Sequence, residues 1–442
     1  MRRTAARIGV VAALALSMGV AAVNAPSARA EEPGLVSAAR ANNDEMNYAI
    51  NLAGTNPEDL QRALALVPGA GGAALASYPE IGTFFAQSAT PSFAPDLAAA
   101  LRAAGISIHS IGPTRVAPVL YYERVELPTD KKDEAPAPQS GAAGGLNSMR
   151  DETASAAPTE TNEEIFNWGA VAMHAREAEA VNVKRAPVTV AVVDSGVEDT
   201  HPDLEGRVDT SRSVKCSVNG VATQDFYGWR DEFYHGTHVA GIIAANHNDI
   251  GIDGIAPEAT IVAIQATNDN RLIYPEYVTC AFMWAASHGV DVVNNSYSMD
   301  PWVYWSPTDP EQAAGLEAAT RSIKYAQDKG LAVIAAAGNE GVDIDNPMID
   351  NGSPTDVPTP TKNRAVQGSI RVPSMLDGVA QVSAVGQAYN VKPGLSLGRA
   401  EFSNYGQTID FAAPGDQIYS TATTLFYRSG YAVADGTSMA TP

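Results

Sequence analysis

The sequence predicts an α/β chain in two parts. A doubly wound, mainly parallel sheet with helices on both faces is expected over residues 164–442. A small α+β domain of ferredoxin-like order is expected ahead of it, over residues 31–123. Three observations carry this. The run 188–193 is apolar and β-branched, as a parallel strand buried on both faces is, and 260–265, 290–294 and 332–337 read as further buried strands. Between them lie stretches with helical character, 237–245, 277–288 and 311–329, and strand–helix alternation argues a doubly wound sheet. The upstream region reads β-α-β-β-α-β, the order of a split βαβ sandwich.

In chain order, residues 1–30 read as an export signal. Arg2, Arg3 and Arg7 form a basic start, 8–23 is an apolar run, and Ala28-Arg29-Ala30 is a small-x-small cleavage site that would leave Glu31 as the new N-terminus. The apolar run is short for a membrane span, and no later stretch is long and apolar enough for one. The small domain follows. Residues 46–52 read as a strand. Residues 57–67 read as a helix capped by Asn56, with Leu60, Ala63, Leu64 and Val67 on one face. Residues 73–77 and 83–89 are strands, 94–104 is a helix with Leu97 and Leu101 inward, and 106–111 is the last strand.

Residues 124–163 change composition. Lys131 to Glu134 carry four charges in a row, then Pro136, Pro138 and a Gly/Ala run, then Ser, Thr, Ala and Glu. Such a segment has little to bury and reads as a flexible linker, either a processing region or an inert spacer. Beyond it, 378–386 and 408–412 add two late strands, and no fixed-period repeat is evident. A hydrophobic content of 45% with 37 Gly and 28 Pro fits a globular chain with many loops. The net charge of −21 argues against nucleic acid or an anionic membrane as partner.

Chemistry concentrates in three short motifs. Gly436-Thr437-Ser438-Met439-Ala440-Thr441-Pro442 puts a serine among small residues, with a glycine suited to a sharp turn before it and a proline suited to a helix's first turn after it. A helix N-terminus there would favour the negative charge of acyl transfer. Val192-Val193-Asp194-Ser195-Gly196 ends a buried strand on a carboxylate; by itself such an Asp equally well caps a turn. His235-Gly236-Thr237-His238 opens a small-residue helix. Alone these histidines could be a metal pair or buried structural groups, but no Glu lies between them and no further ligand cluster follows.

Together, in the order Asp194, His235, Ser438, these motifs resemble the subtilisin-like serine proteases over residues 168–442. The resemblance implies Ser438 as nucleophile, His235 as general base and then acid, and Asp194 as the group that orients His235. It implies a structural role for His238. Ala335-Ala336-Ala337-Gly338-Asn339-Glu340-Gly341 matches the family's oxyanion segment, making Asn339 the side-chain donor beside the Ser438 N–H. Asn294 and Asn295 are rivals by residue type, but match the strand leading to the substrate cleft. Ser296-Tyr297-Ser298 stands where the family carries its substrate-pairing segment, with Ser298 in place of the usual glycine, which argues against a large open pocket.

The resemblance further implies that 31–123 is a propeptide acting as intramolecular inhibitor. The other expected partner is a peptide or protein substrate. No cofactor is required for the chemistry. The segment after Gly341 is long, and its Asp343, Asp345, Asp350 and Asp356 read as solvated loop acids before a structural calcium site. Phe226, Tyr227, Trp229, Phe233 and Tyr234 could floor subsites or pack the core. Cys216 and Cys280, an even count in an exported chain, are expected to pair, two buried thiols being the alternative. Four residues follow Ser438, where the family continues a long apolar helix, so the chain is expected to be incomplete there. The reading is a secreted serine endopeptidase. A hydrolase of another acyl substrate and a binding pseudo-enzyme are its rivals.

Overall fold

The computed structural model describes residues 45–119, 155–156, 168–175, 178, 186–387 and 397–442. The expected export segment and all but two residues of the expected linker lie outside them. The described residues all belong to one compact unit, Asn43–Pro442.

The first part contains β1 Met46–Leu52, α1 Pro57–Leu66, β2 Ala73–Tyr78, β3 Thr83–Ser88, α2 Phe93–Ala103 and β4 Ile108–Pro113. The sheet runs β2-β3-β1-β4, all antiparallel. Asn56 accepts a hydrogen bond from Glu58 N and Pro57 occupies the first turn, which fixes the start of α1. Strand alternation sorts the side chains. Ile50, Leu52, Phe84 and Ala86 face the two helices, meeting Leu60, Ala63, Phe93, Leu97 and Leu101. Ala49 and Phe85 face the other way, against Ala314 and Ala318. The last strand starts two residues later than the sequence suggests, because Gly105 adopts φ +75° and Ile106 N bonds back to Leu101 O, closing the helix instead.

The second part supplies β5 Thr189–Asp194, β6 Val214–Lys215, α3 His235–Ala244, β7 Thr260–Gln265, α4 Pro275–Ser287, β8 Val292–Asn295, α5 Ala313–Asp328, β9 Ala332–Ala336, β10 Val379–Gln387, β11 Leu397–Arg399 and β12 Phe411–Pro414. The sheet order is β11-β10-β9-β8-β5-β7-β6, with β12 beside β10. Every pairing is parallel except that of β11. Val193, Ile264 and Val333 meet α4 and α5 on one face. Val190, Val192 and Ala263 meet Val239 and Ala240 of α3 on the other. β13 Ile418–Thr421 and β14 Tyr431–Ala434 form a hairpin, and α6 Thr437–Ala440 follows. Ser155–Ala156, inside the expected flexible linker, pairs with β14, so those two residues are strand rather than free spacer.

The two parts meet on α4 and α5. Arg321 Nη1 donates to Leu52 O at 2.8 Å and Ile81 O at 3.0 Å. Asn47 Nδ2 reaches Glu276 Oε1 at 2.8 Å, and Arg115 Nη2 pairs with the same oxygen. Both Arg115 and Glu276 are buried. The four acids that the sequence suggested as solvated are mostly engaged. Asp356 accepts from Val116 N and Ala117 N, Asp350 pairs with Arg364, and Asp345 accepts from Thr408 N. Each ties down a backbone or a cation that composition alone does not reveal.

Candidate active site

Asp194 ends β5, where a parallel strand delivers its last side chain to the carboxyl edge of the sheet. His235 opens α3 two residues earlier than its periodicity suggests. The extension is capped by Asp231, whose Oδ2 accepts from Thr237 N at 2.9 Å and Thr237 Oγ1 at 2.6 Å. Gly236 lets this helix start touch the strand end: a Cβ there would lie 2.1 Å from Gly196 O and 3.0 Å from Asp194 Cβ. The result is a buried pair, with His235 Nδ1 at 2.7 Å from Asp194 Oδ1 and 2.9 Å from Oδ2. That contact assigns the proton to Nδ1 and leaves Nε2 as the basic nitrogen.

Asp231 joins this cluster from beneath. Its Oδ1 accepts from Ser195 Oγ at 2.9 Å and Phe233 N at 2.8 Å, while Ser195 Oγ accepts from Gly236 N. Complete burial pushes its carboxyl up to about 6. Bonds from Thr237 and Phe233 oppose that rise, and the Asp194 charge adds to it. The sequence reading passed over Asp231. Its signal was its place four residues before His235, masked by the aromatics around it.

Ser438 lies in α6, which contacts α3. Its Oγ donates to Ser296 O at 3.2 Å, and Ser296 Oγ returns a bond to Ser438 O at 3.0 Å. Gly436 before it has extended dihedrals, φ 161° and ψ 156°, and the chain bends there between β14 and α6. Asn339 follows the end of β9. Its Oδ1 accepts from both Thr437 N and Thr437 Oγ1 at 2.8 Å. Two donors on one side fix the amide's orientation and turn Nδ2 to the other, as a donor.

The remaining residues sort by their partners. His238 Nε2 lies 3.2 Å from Ile418 O and from Ala432 O. Burial, reinforced by His235, pushes its pKa down to about 3, so it is a neutral structural donor. Asn294 bonds Ser296 Oγ, and Asn295 bonds Val293 O and Ile334 O; both tie the sheet edge together. Tyr297 is buried in the α4–α5 core and Ser298 is also buried. Trp229 and Tyr234 pack in the core, Arg271 lies over the Phe233 ring at 3.6 Å, and Tyr227 is half exposed under Arg230. The Phe226 side chain lies outside the described residues. Cys216 and Cys280 are joined by a disulfide between the β6 edge and α4. Among the described residues no group of three or more His, Cys, Asp or Glu is placed to hold a metal ion.

Comparison with known proteins adds an independent line. A model described as the subtilase family matches residues 185–442. Subtilisin Savinase of Lederbergia lenta is 33% identical over 276 residues, covering 62% of this chain and 80% of that protein. Minor extracellular protease Epr of Bacillus subtilis is 28% identical over 284 residues, covering 64% of this chain and 35% of that protein. The chain thus spans little more than a third of one curated relative and four fifths of the other. The crystal structure of an epidermin leader peptide processing serine protease from Staphylococcus aureus superposes with TM-score 0.63 at 22% identity, over 90% of this chain and 86% of that one. At that identity the likeness speaks for the fold.

Proposed function

Since the chain belongs to the subtilase family, we propose that it is a serine endopeptidase that cleaves an extended peptide through an acyl-enzyme. The carrying observation is the buried Asp194–His235 pair at the start of a helix that contacts the Ser438 helix. Ser438 Oγ attacks the scissile carbonyl and His235 Nε2 takes its proton. Asp194 holds the imidazole and stabilises its cation. The oxyanion that forms is met by Asn339 Nδ2 and the Ser438 N–H. His235 then gives its proton to the leaving amine, and water repeats the sequence to free the acid.

The Ser296–Ser298 segment is the proposed partner of the substrate backbone, as Ser296 O lies beside the nucleophile. Residues 31–123 are the proposed inhibitory propeptide, processed between 123 and 163, and the enzyme is proposed to be secreted. The bonds of Asn47 and Arg115 to Glu276 of the catalytic part, and of its Arg321 to Leu52 O, support the first, and the sequence of residues 1–30 supports the second. No helix among the described residues is long and apolar enough to cross a membrane.

A fluorophosphonate probe tests the reading. The parent chain is expected to be labelled and to hydrolyse peptides, whereas Ser438→Ala is expected to do neither and to remain unprocessed. A parent that is folded but unlabelled would favour the binding pseudo-enzyme. Hydrolysis of esters without peptides would favour another acyl substrate.

A further inference from the structure

Behind Asn339 lies an ionic brace, with its arginine buried and its glutamate partly exposed. Glu340 accepts from both terminal nitrogens of Arg371, Nη1 to Oε2 at 2.9 Å and Nη2 to Oε1 at 3.2 Å. Asn404 Nδ2 donates to the same Oε2 at 2.7 Å and to Ala337 O at 2.9 Å. Asn404 Oδ1 accepts from Glu340 N at 3.2 Å and Val342 N at 3.0 Å, and its own N–H reaches Gly338 O at 2.9 Å. The chain is therefore gripped on both sides of Asn339, from Ala337 to Val342. Gly338, at φ +106°, rests directly on the brace. A Cβ there would lie 2.5 Å from Asn404 Nδ2 and 2.6 Å from Arg371 Cζ. Arg371 is 1% exposed. Burial disfavours its charge, but the Glu340 carboxylate and Tyr304 together outweigh that and raise its pKa above the ordinary arginine value.

We propose that Arg371, acting through Glu340 and together with Asn404, is a positioning residue for the oxyanion donor Asn339. The proposal rests on reading Asn339 as that donor. Stability alone is a poor reason for such a pair, since buried ion pairs gain little over apolar residues of the same volume. What the planar guanidinium supplies is a fixed two-pronged geometry that an ammonium lacks. An oxyanion donor works by being in place before charge develops, so a loose loop loses turnover rather than ground-state binding. A displacement on the order of 1 Å costs about 100-fold.

The test uses peptide hydrolysis by the self-processed chain. Arg371→Met alone strands the Glu340 charge, so the decisive variant is Glu340→Met with Arg371→Met, which keeps an apolar filling. Its kcat is expected to fall by roughly 10- to 100-fold with KM near the parent value. Arg371→Lys, with charge but no fork, is expected to fall between the two. Introduced into an Asn339→Ala background, the paired Met substitutions are expected to change kcat by less than about 3-fold, because the donor they serve is gone. Parent-like kcat in the paired variant, or the same full loss in the Asn339→Ala background, overturns the proposal. An Asn339→Ala enzyme as fast as the parent would instead remove the donor reading, and the proposal with it.

Discussion

Asp300 should make the protein lose stability as pH rises toward neutrality. It is fully buried just after the Ser296–Ser298 segment, and burial pushes its carboxyl from 3.8 up to about 7. Bonds from Thr355 Oγ1 at 2.6 Å and Ile273 N at 2.8 Å oppose this rise, and the nearby Asp356 charge adds to it. Between pH 4 and 7 the native state then holds a proton that the unfolded chain has released. The stabilisation is complete below pH 4 and lost as pH climbs through 7. The full difference, 7 − 3.8 = 3.2 units, is worth about 4 kcal/mol at 1.36 kcal/mol per unit, of which roughly 3 kcal/mol falls between pH 5 and 8. Asp300→Asn removes the titration while keeping both bonds, since an amide can accept from Ile273 N and donate to Thr355 Oγ1. The assay is urea denaturation of Ser438→Ala, which cannot digest itself, with and without Asp300→Asn. The double variant should gain on the single one from pH 5 to about 7 and level off by pH 8. A stability difference that stays constant over this range refutes the reasoning.

Three further outcomes are expected. Asn339→Ala should lower kcat by about 10²–10³-fold with little change in KM, a magnitude taken from a relative in this same family; a steady-state comparison on one peptide substrate checks it. Arg115→Met leaves the Glu276 carboxylate buried without its cation, a loss of about 3–5 kcal/mol in comparable pairs. Residues 45–119 of the Ser438→Ala chain should then be digested faster by an added protease. Replacing Cys216 and Cys280 by serine frees a loop with sequence separation 64, and should cost about 4 kcal/mol in the chain-entropy account. A urea midpoint that does not move with the substitution would count against it.

How much of this was legible in the sequence follows from where each signal is stored. The run 260–265 is β7 residue for residue, because a parallel strand covered on both faces needs an apolar centre, here Ile261 to Ile264. The β-α-β-β-α-β order of the first part was legible from the Asn56 cap and the inward faces of its helices, which are local as well. Element ends were less so. The start of α3 depends on Asp231 reaching forward to Thr237, and that of β4 on Gly105 closing a helix; both are side-chain or backbone bonds that periodicity does not carry. At the site, Asp194, His235, Ser438 and Asn339 each sit in a short local motif. The groups that hold them do not. Arg371 is 31 residues from Glu340, and Asn404 is 64. Asp356 looks like a loop acid until Val116 N and Ala117 N arrive from 239 or more residues away. Composition counts such charges as solvated, whereas burial is what gives them a task.

The chemistry of the seam between the two parts bears on the proposed inhibitor role. Its apolar patch sets Ala49 and Phe85, with Leu75, Ala76 and Tyr78 beside them, against Ala314 and Ala318. Around it stand polar locks: Asn51 to Ala314 O, Tyr78 to Gly220 O, Arg321 to Leu52 O, and Arg115 with Asn47 on Glu276. Polar locks confer register and orientation, and water can take over their partners when the domain leaves, so release does not expose a large sticky surface. Glu276 is buried to the last atom while the first part is bound. On release, water would replace Arg115 and Asn47 as its partners. For the proposed inhibitor role, such a seam is expected to hold while the chain is continuous and to give way after processing. Those are the two properties an intramolecular inhibitor needs.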